Sequence, residues 1–203
     1  GHPYITEADW NRSMLEVVAQ VRTVYPGPVT WALAPTPSAA GAATTFSSAR
    51  SLACELDVVG LNTWFLPLCT MDRPTTADVL AAWQTIAAIV VDPFVADLGK
   101  PYILAECGGP SAEGALCHPG YADTRANLDA QVTTYRSTVE AFFARPGFFG
   151  AFWWEWSLAA GSPYSAGGVA DNGYAFRLKP AQDVIESAYG DGVISPGIVH
   201  IDG

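Results

Sequence analysis

A chain of 203 residues, half of them hydrophobic and 15% charged, is long enough to bury one core and too apolar to stay disordered. Its formal net charge of -10, from 20 Asp and Glu against 10 Lys and Arg, argues against nucleic acid and anionic membrane as partners. A neutral ligand such as a sugar meets no such barrier.

Four cysteines, Cys54, Cys69, Cys107 and Cys117, are too few for a disulfide scaffold and include no CxxC pair. No metal site is expected from them. Cys107 and Cys117 flank one loop and leave two readings open, a disulfide or two thiols, because spacing does not set the Cβ geometry. The longest apolar stretch, around Thr85 to Val95, is short for a membrane span and carries Asp92 and Pro93. The N-terminus lacks the basic start and apolar block of a signal peptide.

The first expected element is a helix. Thr6 stands at an N-cap position, and Trp10, Met14, Val17, Val18, Val21 and Tyr25 recur at helical spacing until Pro26-Gly27-Pro28. Val29 to Ala34 reads as a buried strand, Thr36 to Thr45 as a small-residue loop, and Phe46 to Leu56 as a short helix. Asp57 to Phe65 reads as a second strand. Pro74 to Gly99 reads as a long helix with an interruption near Pro93. Pro101 to Glu106 is a third strand, and Cys107 to Gly120 a Gly/Pro-rich loop. Tyr121 to Ala144 is then a helix, Phe148 to Trp154 a fourth strand, and Lys179 to Tyr189 the last helix.

Strands with near-continuous apolar runs, alternating with helices, make a parallel sheet covered by helices. Such a chain is either an open doubly wound sheet or an arc of a barrel. No glycine-rich phosphate loop follows any strand, so no nucleotide cofactor is expected. Polar and aromatic residues gather at the C-terminal strand ends: Asn62 and Trp64, Glu106, then Trp154, Glu155 and Trp156. A (β/α)8 barrel places its active site there.

Glu106 ends an apolar strand ahead of Gly108-Gly109, whose missing side chains would let a sugar approach the backbone. It reads equally as a catalytic carboxylate or as a strand-end ion-pair partner. Strand alternation puts Phe152 and Trp154 on one face and Trp153 on the other. Trp153 suits the core, whereas Trp154, at the mouth, suits a sugar platform. Asn62 is placed to bond a sugar hydroxyl, to hold a carboxylate, or to satisfy loop backbone. His118 reads as structural, and Asp171-Asn172-Gly173 as a turn.

These pieces together resemble the C-terminal half of a clan A glycoside hydrolase barrel, in the form of the family 113 β-mannanases. Residues Lys100 to Gly109 (KPYILAECGG) resemble the seventh-strand segment bearing the nucleophile. Asp57 to Leu68 (DVVGLNTWFLPL) resembles the sixth strand, and Gly147 to Ser157 (GFFGAFWWEWS) the eighth. Asp171 to Ile185 resembles the segment that closes such barrels, and Trp10 to Ala32 the fourth helix and fifth strand.

The resemblance implies a retaining β-glycosidase of endo-mannanase type, acting on plant-type polysaccharide or its oligosaccharides outside the cell, without a cofactor. Glu106 matches the nucleophile, and Trp154 the tryptophan flooring the subsite at the cleaved bond. Trp64 stands where relatives have a tyrosine, and Asn62 and Trp156 would join Trp154 in binding substrate. The acid/base would end the strand before the first helix, where only Glu7 is nearby. Residues 1–190 are thus expected to supply the last four βα units of a barrel, and 191–203 a tail or linker. The first four units would come from upstream sequence or from a second chain. Without them the chain would lack its acid/base, and a non-catalytic, carbohydrate-binding half-barrel is the alternative.

Overall fold

Each of the four apolar runs expected to pair does so, in chain order. The computed structural model describes residues 7–34, 39–63, 74–117, 125–156, 168 and 170–190. Strands β1 (Thr30–Leu33), β2 (Val58–Asn62), β3 (Tyr102–Gly108) and β4 (Phe148–Trp154) form one all-parallel sheet of order β1-β2-β3-β4. Parallel neighbours require long crossovers, and helices supply them. Helix α1 (Glu7–Val24) precedes the sheet; α2 (Ala39–Glu55), α3 (Thr76–Ile86), α4 (Asp92–Leu98) and α5 (Leu128–Phe142) connect the strands, and α6 (Pro180–Gly190) follows β4.

Three boundaries differ from the sequence reading. Most of the expected loop 36–45 is helix, because α2 already starts at Ala39. The Ala-Ala-Gly-Ala-Ala run was read as small and therefore loose, but alanine is the best helix former. Helix α5 starts at Leu128, not at Tyr121. Asn127 caps it by accepting from the Ala130 amide at 3.0 Å, and its own amide donates to the Ser111 carbonyl at 2.7 Å. Strand β3 runs on through Cys107 and Gly108, which were expected to open a loop.

The long helix is continuous through Pro93. The segment Ala87–Val91 is π-helical and hands over to α4, with the Asp92 amide donating to the Ala87 carbonyl. Proline lacks the donor that the next α-type bond needs, so the backbone takes a wider turn just ahead of it. By length and composition Thr76–Leu98 would reach across a membrane. Here its apolar face, with Val79, Trp83, Ile86, Val90 and Val95, is buried in the main core.

That core lies on the helix side of the sheet, where Val59, Leu61, Tyr102, Leu104 and Cys107 meet Phe46, Trp83 and Phe142. The opposite face is open. Thr30 and Ala32 are exposed on β1, and Phe152 on β4 is 65% exposed.

The turn from α1 into β1 is held by Asp57, just ahead of β2. Its carboxylate accepts from the Arg22 guanidinium and, at 2.7 Å, from the Val29 amide. Partial burial raises this carboxyl, but the Val29 amide, Arg22 and Lys100 outweigh it and hold it below its ordinary value. A depressed carboxyl stabilises the fold above its unfolded-state value and loses that contribution as pH falls through the folded one. Asp57→Asn is therefore expected to lower stability at neutral pH, with the deficit shrinking only as pH falls from about 4 toward the lower folded-state value. Urea titrations of both proteins across a pH series check this.

Candidate active site

The C-terminal ends of β2, β3 and β4 bring Asn62, Glu106 and Trp154 onto one rim. What puts Glu106 there is a bulge. Between Leu104 and Cys107, β3 advances three residues while β4 advances two, from Ala151 to Trp153. Against β2 it also gains one residue, since Leu61 pairs with Leu104 but Asn62 with Glu106. Strict alternation from Tyr102 and Leu104 would have sent Glu106 into the helix-side core. The extra residue turns Cys107 into that core instead and leaves Glu106 half-buried on the open face.

Asn62 meets it there. Its Nδ2 donates to Glu106 Oε2 at 2.8 Å, while its Oδ1 is buried without a partner among the described residues. The amide orientation follows from the carboxylate, since an oxygen turned toward an ionised Glu106 would be repelled. The backbone is tied as well: the Thr63 amide donates to the Glu106 carbonyl at 2.8 Å. Of the readings open for Asn62, this contact fits the one that holds a carboxylate.

The alternation expected in β4 is present. Trp153 turns to the helices and stacks on Tyr135, with ring centroids 4.7 Å apart. Trp154 faces the open side and is 46% exposed. Its peptide bond to Glu155 is cis. Trp156 is exposed and meets Phe176 edge-on at 5.4 Å. Trp64, His118 and the 191–203 tail lie outside the described residues, as does the Thr6 cap. Glu7 opens α1.

Cys107 and Cys117 both remain thiols. Burial and the neighbouring Glu106 push the Cys107 thiol well up, so it stays protonated and donates to the Phe152 carbonyl.

The glycines after Glu106 have a packing role. A side chain on Gly108 would meet the Trp154 carbonyl at 2.4 Å, and one on Gly109 would press on Thr134. They admit the close approach of β4 and α5. Gly108 also has a φ of +146°, a conformation side chains rarely adopt.

Several residues that shape the rim carried no chemical signal in the sequence. Gln131 donates to the carbonyls of Gly109 and Tyr174. Lys179 has a fully buried side chain, and its three donors are all used: on Ser111 Oγ (2.8 Å), Asp171 Oδ1 (3.0 Å) and the Gly173 carbonyl (3.0 Å). Ser111 Oγ donates in turn to the Asp171 carbonyl. Burial pushes the Lys179 ammonium below its ordinary value, and Asp171 pulls it part of the way back. The cluster ties the loop after Glu106 to the segment after Trp154. That segment is bonded to Glu155 from both sides, through the Tyr174 carbonyl and the Phe176 amide. The Asp171-Asn172-Gly173 turn read in the sequence is present, with Asp171 Oδ1 accepting from the Gly173 amide at 2.6 Å.

Two cavities of 510 and 500 Å³ lie away from this rim. One is at the opposite ends of β3 and β4, and the other lies between α5 and α6. Asn62, Glu106 and Trp154 sit instead on the open face of the sheet.

The family model of Glycoside Hydrolase Family 113 matches residues 5–179. The chain belongs to glycoside hydrolase family 113. Solved structures agree on the fold. A β-1,4-mannanase of that family superposes with a TM-score of 0.66 at 22% identity, covering 91% of this chain and 51% of that one. A β-mannanase of the family from Alicyclobacillus acidocaldarius, in complex with ManMIm, gives 0.66 at 21%, covering 93% and 51%. A Bifidobacterium dentium β-glucuronidase gives 0.56 at 17%, covering 90% and 27%. No curated protein matches the chain. The chain thus spans about half the length of the mannanases it resembles, and its four βα units are half of a (β/α)8 barrel.

Breaking the buried cluster from one side should be costly. Lys179→Met, which strands Asp171, is expected to lower stability by about 3–5 kcal/mol, and Lys179→Met with Asp171→Asn by less than the sum of the two single changes. Chemical denaturation of the four proteins measures the coupling.

Proposed function

We propose that this family 113 chain carries the nucleophile half of a retaining β-glycosidase site of endo-mannanase type, with Glu106 as the nucleophile. The observation that carries the reading is the Asn62–Glu106 contact, 2.8 Å long, on the open face at the C-terminal strand ends. An amide donor there orients one carboxylate oxygen and leaves the other for an anomeric carbon. The glycosyl-enzyme forms as Glu106 attacks and the leaving oxygen departs; water then releases the sugar.

Trp154 serves as the floor of the subsite at the cleaved bond, its indole lying against the apolar face of a pyranose ring. Trp156 extends the aromatic surface, and Trp64 belongs to the same rim by resemblance. The second carboxyl of a retaining pair stands about 5 Å from the nucleophile. By resemblance it comes from the strand preceding α1. Four further βα units, on the same chain or a second one, would close the barrel around β1 and β4. The substrate is a β-mannan-type polysaccharide or oligosaccharide, and the site of action is extracellular.

An aryl β-mannoside with a good leaving group tests the nucleophile alone, because departure of such a group needs little proton donation. Release of the aryl group that falls at least about a thousandfold in Glu106→Gln supports the reading. Equal release by both proteins removes Glu106 from the reaction. Oligosaccharide binding without any release by the folded chain favours the non-catalytic alternative.

Trp154→Ala is expected to weaken oligosaccharide binding by about 0.5–1.5 kcal/mol, the worth of one aromatic contact. Titration calorimetry with a manno-oligosaccharide reads this, and an unchanged dissociation constant removes the platform role.

A further inference from the structure

The rim carries a contact that the proposed chemistry does not use. Tyr135 lies in the middle of α5 with its side chain wholly buried. Its ring stacks on Trp153 and leans on Phe176, with centroids 4.7 and 5.5 Å away. Its Oη donates to the Trp154 carbonyl at 3.1 Å. The same hydroxyl stands 3.2 Å from where a Gly108 side chain would begin, and the Trp154 carbonyl 2.4 Å from that point. Tyr135 therefore closes a three-way junction of β3, β4 and α5. The junction is two residues from Glu106 and joins directly onto Trp154.

We propose that Tyr135 is a positioning residue: its hydroxyl holds the Trp154 backbone against Gly108 and so sets the tilt of the Trp154 indole relative to Glu106. The inference rests on the reading of Glu106 and Trp154 as nucleophile and platform. A core tyrosine of purely apolar use has no need to send its hydroxyl to the strand end, and phenylalanine would fill the same space. Besides the β3–β4 ladder, three bonds hold the Trp154–Glu155 unit among the described residues. Two come from Tyr174 and Phe176, at 3.4 and 3.3 Å, and the shortest comes from Tyr135. Burial, with Cys107 and Glu155 nearby, raises the Tyr135 phenol well above its ordinary value, so the donor persists across the working pH range. Without it the carbonyl loses its side-chain partner, and the peptide carrying the indole gains freedom to rotate.

The test is covalent trapping of the whole chain with a dinitrophenyl β-mannobioside whose reacting ring carries fluorine in place of the hydroxyl beside the anomeric carbon. A Glu106 oxygen forms the new bond to the anomeric carbon, the bond to the aryl oxygen breaks, and dinitrophenolate leaves with the electron pair. No acid is required, and intact mass reports the ester. Tyr135→Phe is expected to raise the inhibitor constant KI about five- to tenfold, the equivalent of one neutral hydrogen bond, with a smaller change in the trapping rate at saturation. Val95→Ala, a core truncation at the far end of the sheet, controls for stability and should leave KI unchanged at a comparable loss of melting temperature.

An unchanged KI in Tyr135→Phe overturns the proposal, as does an equal rise in Val95→Ala. Gly108→Ala, which pushes a methyl group at the same carbonyl from the other strand, gives a second reading should Tyr135→Phe fail to fold. A raised KI there supports the junction, and an unchanged one overturns it. Failure of the underlying site looks different: the wild-type chain would gain no mass on Glu106, or Trp154→Ala would leave KI unmoved, and the inference would fall with it.

Discussion

One extra residue in β3 governs the site. Side chains on a strand alternate between faces, so moving a carboxylate from core to rim requires either a different sequence position or a break in the alternation. The bulge between Leu104 and Cys107 is such a break. It lets Tyr102, Leu104 and Cys107 all point into the helix-side core while Glu106 turns the other way. An ionised carboxylate sent into that core would carry a desolvation cost far larger than the irregularity. Once Glu106 faces the rim, the register with β2 puts Asn62 opposite it, and the register with β4 puts Trp154 opposite Gly108.

The strand ends are then held from behind. The Lys179, Asp171 and Ser111 cluster joins the loop that follows Glu106 to the segment that follows Trp154. Gln131 spans the same two segments from α5. These groups do not touch the open face. They make the rim a consequence of packing on the closed face, where buried donors and acceptors must find one another because water is excluded. That packing fixes where Asn62, Glu106 and Trp154 stand relative to one another.

The open face itself fits the half-barrel. In a closed barrel the inner surface is packed by side chains from all eight strands. With four strands, β1 and β4 are the sheet's edges, and Phe152 and the exposed side of β1 are uncovered among the described residues.

The four strands, their parallel order and the helices between them were legible in the sequence, because buried parallel strands need unbroken apolar runs such as Val58 to Leu61 and Tyr102 to Leu104. So was the gathering of Glu106, Asn62 and Trp154 at strand ends, since chain order alone places the residues following each run at the same edge of a parallel sheet. The opposite faces of Trp153 and Trp154 followed from alternation. What only the tertiary structure decided was the direction of Glu106, which depends on a bulge that no local pattern announces. The uses of Gly108, Tyr135 and Lys179 were likewise undetermined. A glycine before a loop, a tyrosine in an apolar helical stripe and a lysine at a helix start each have ordinary local explanations. Their actual partners, Trp154, Ser111 and Asp171, are brought to them by packing rather than by sequence spacing.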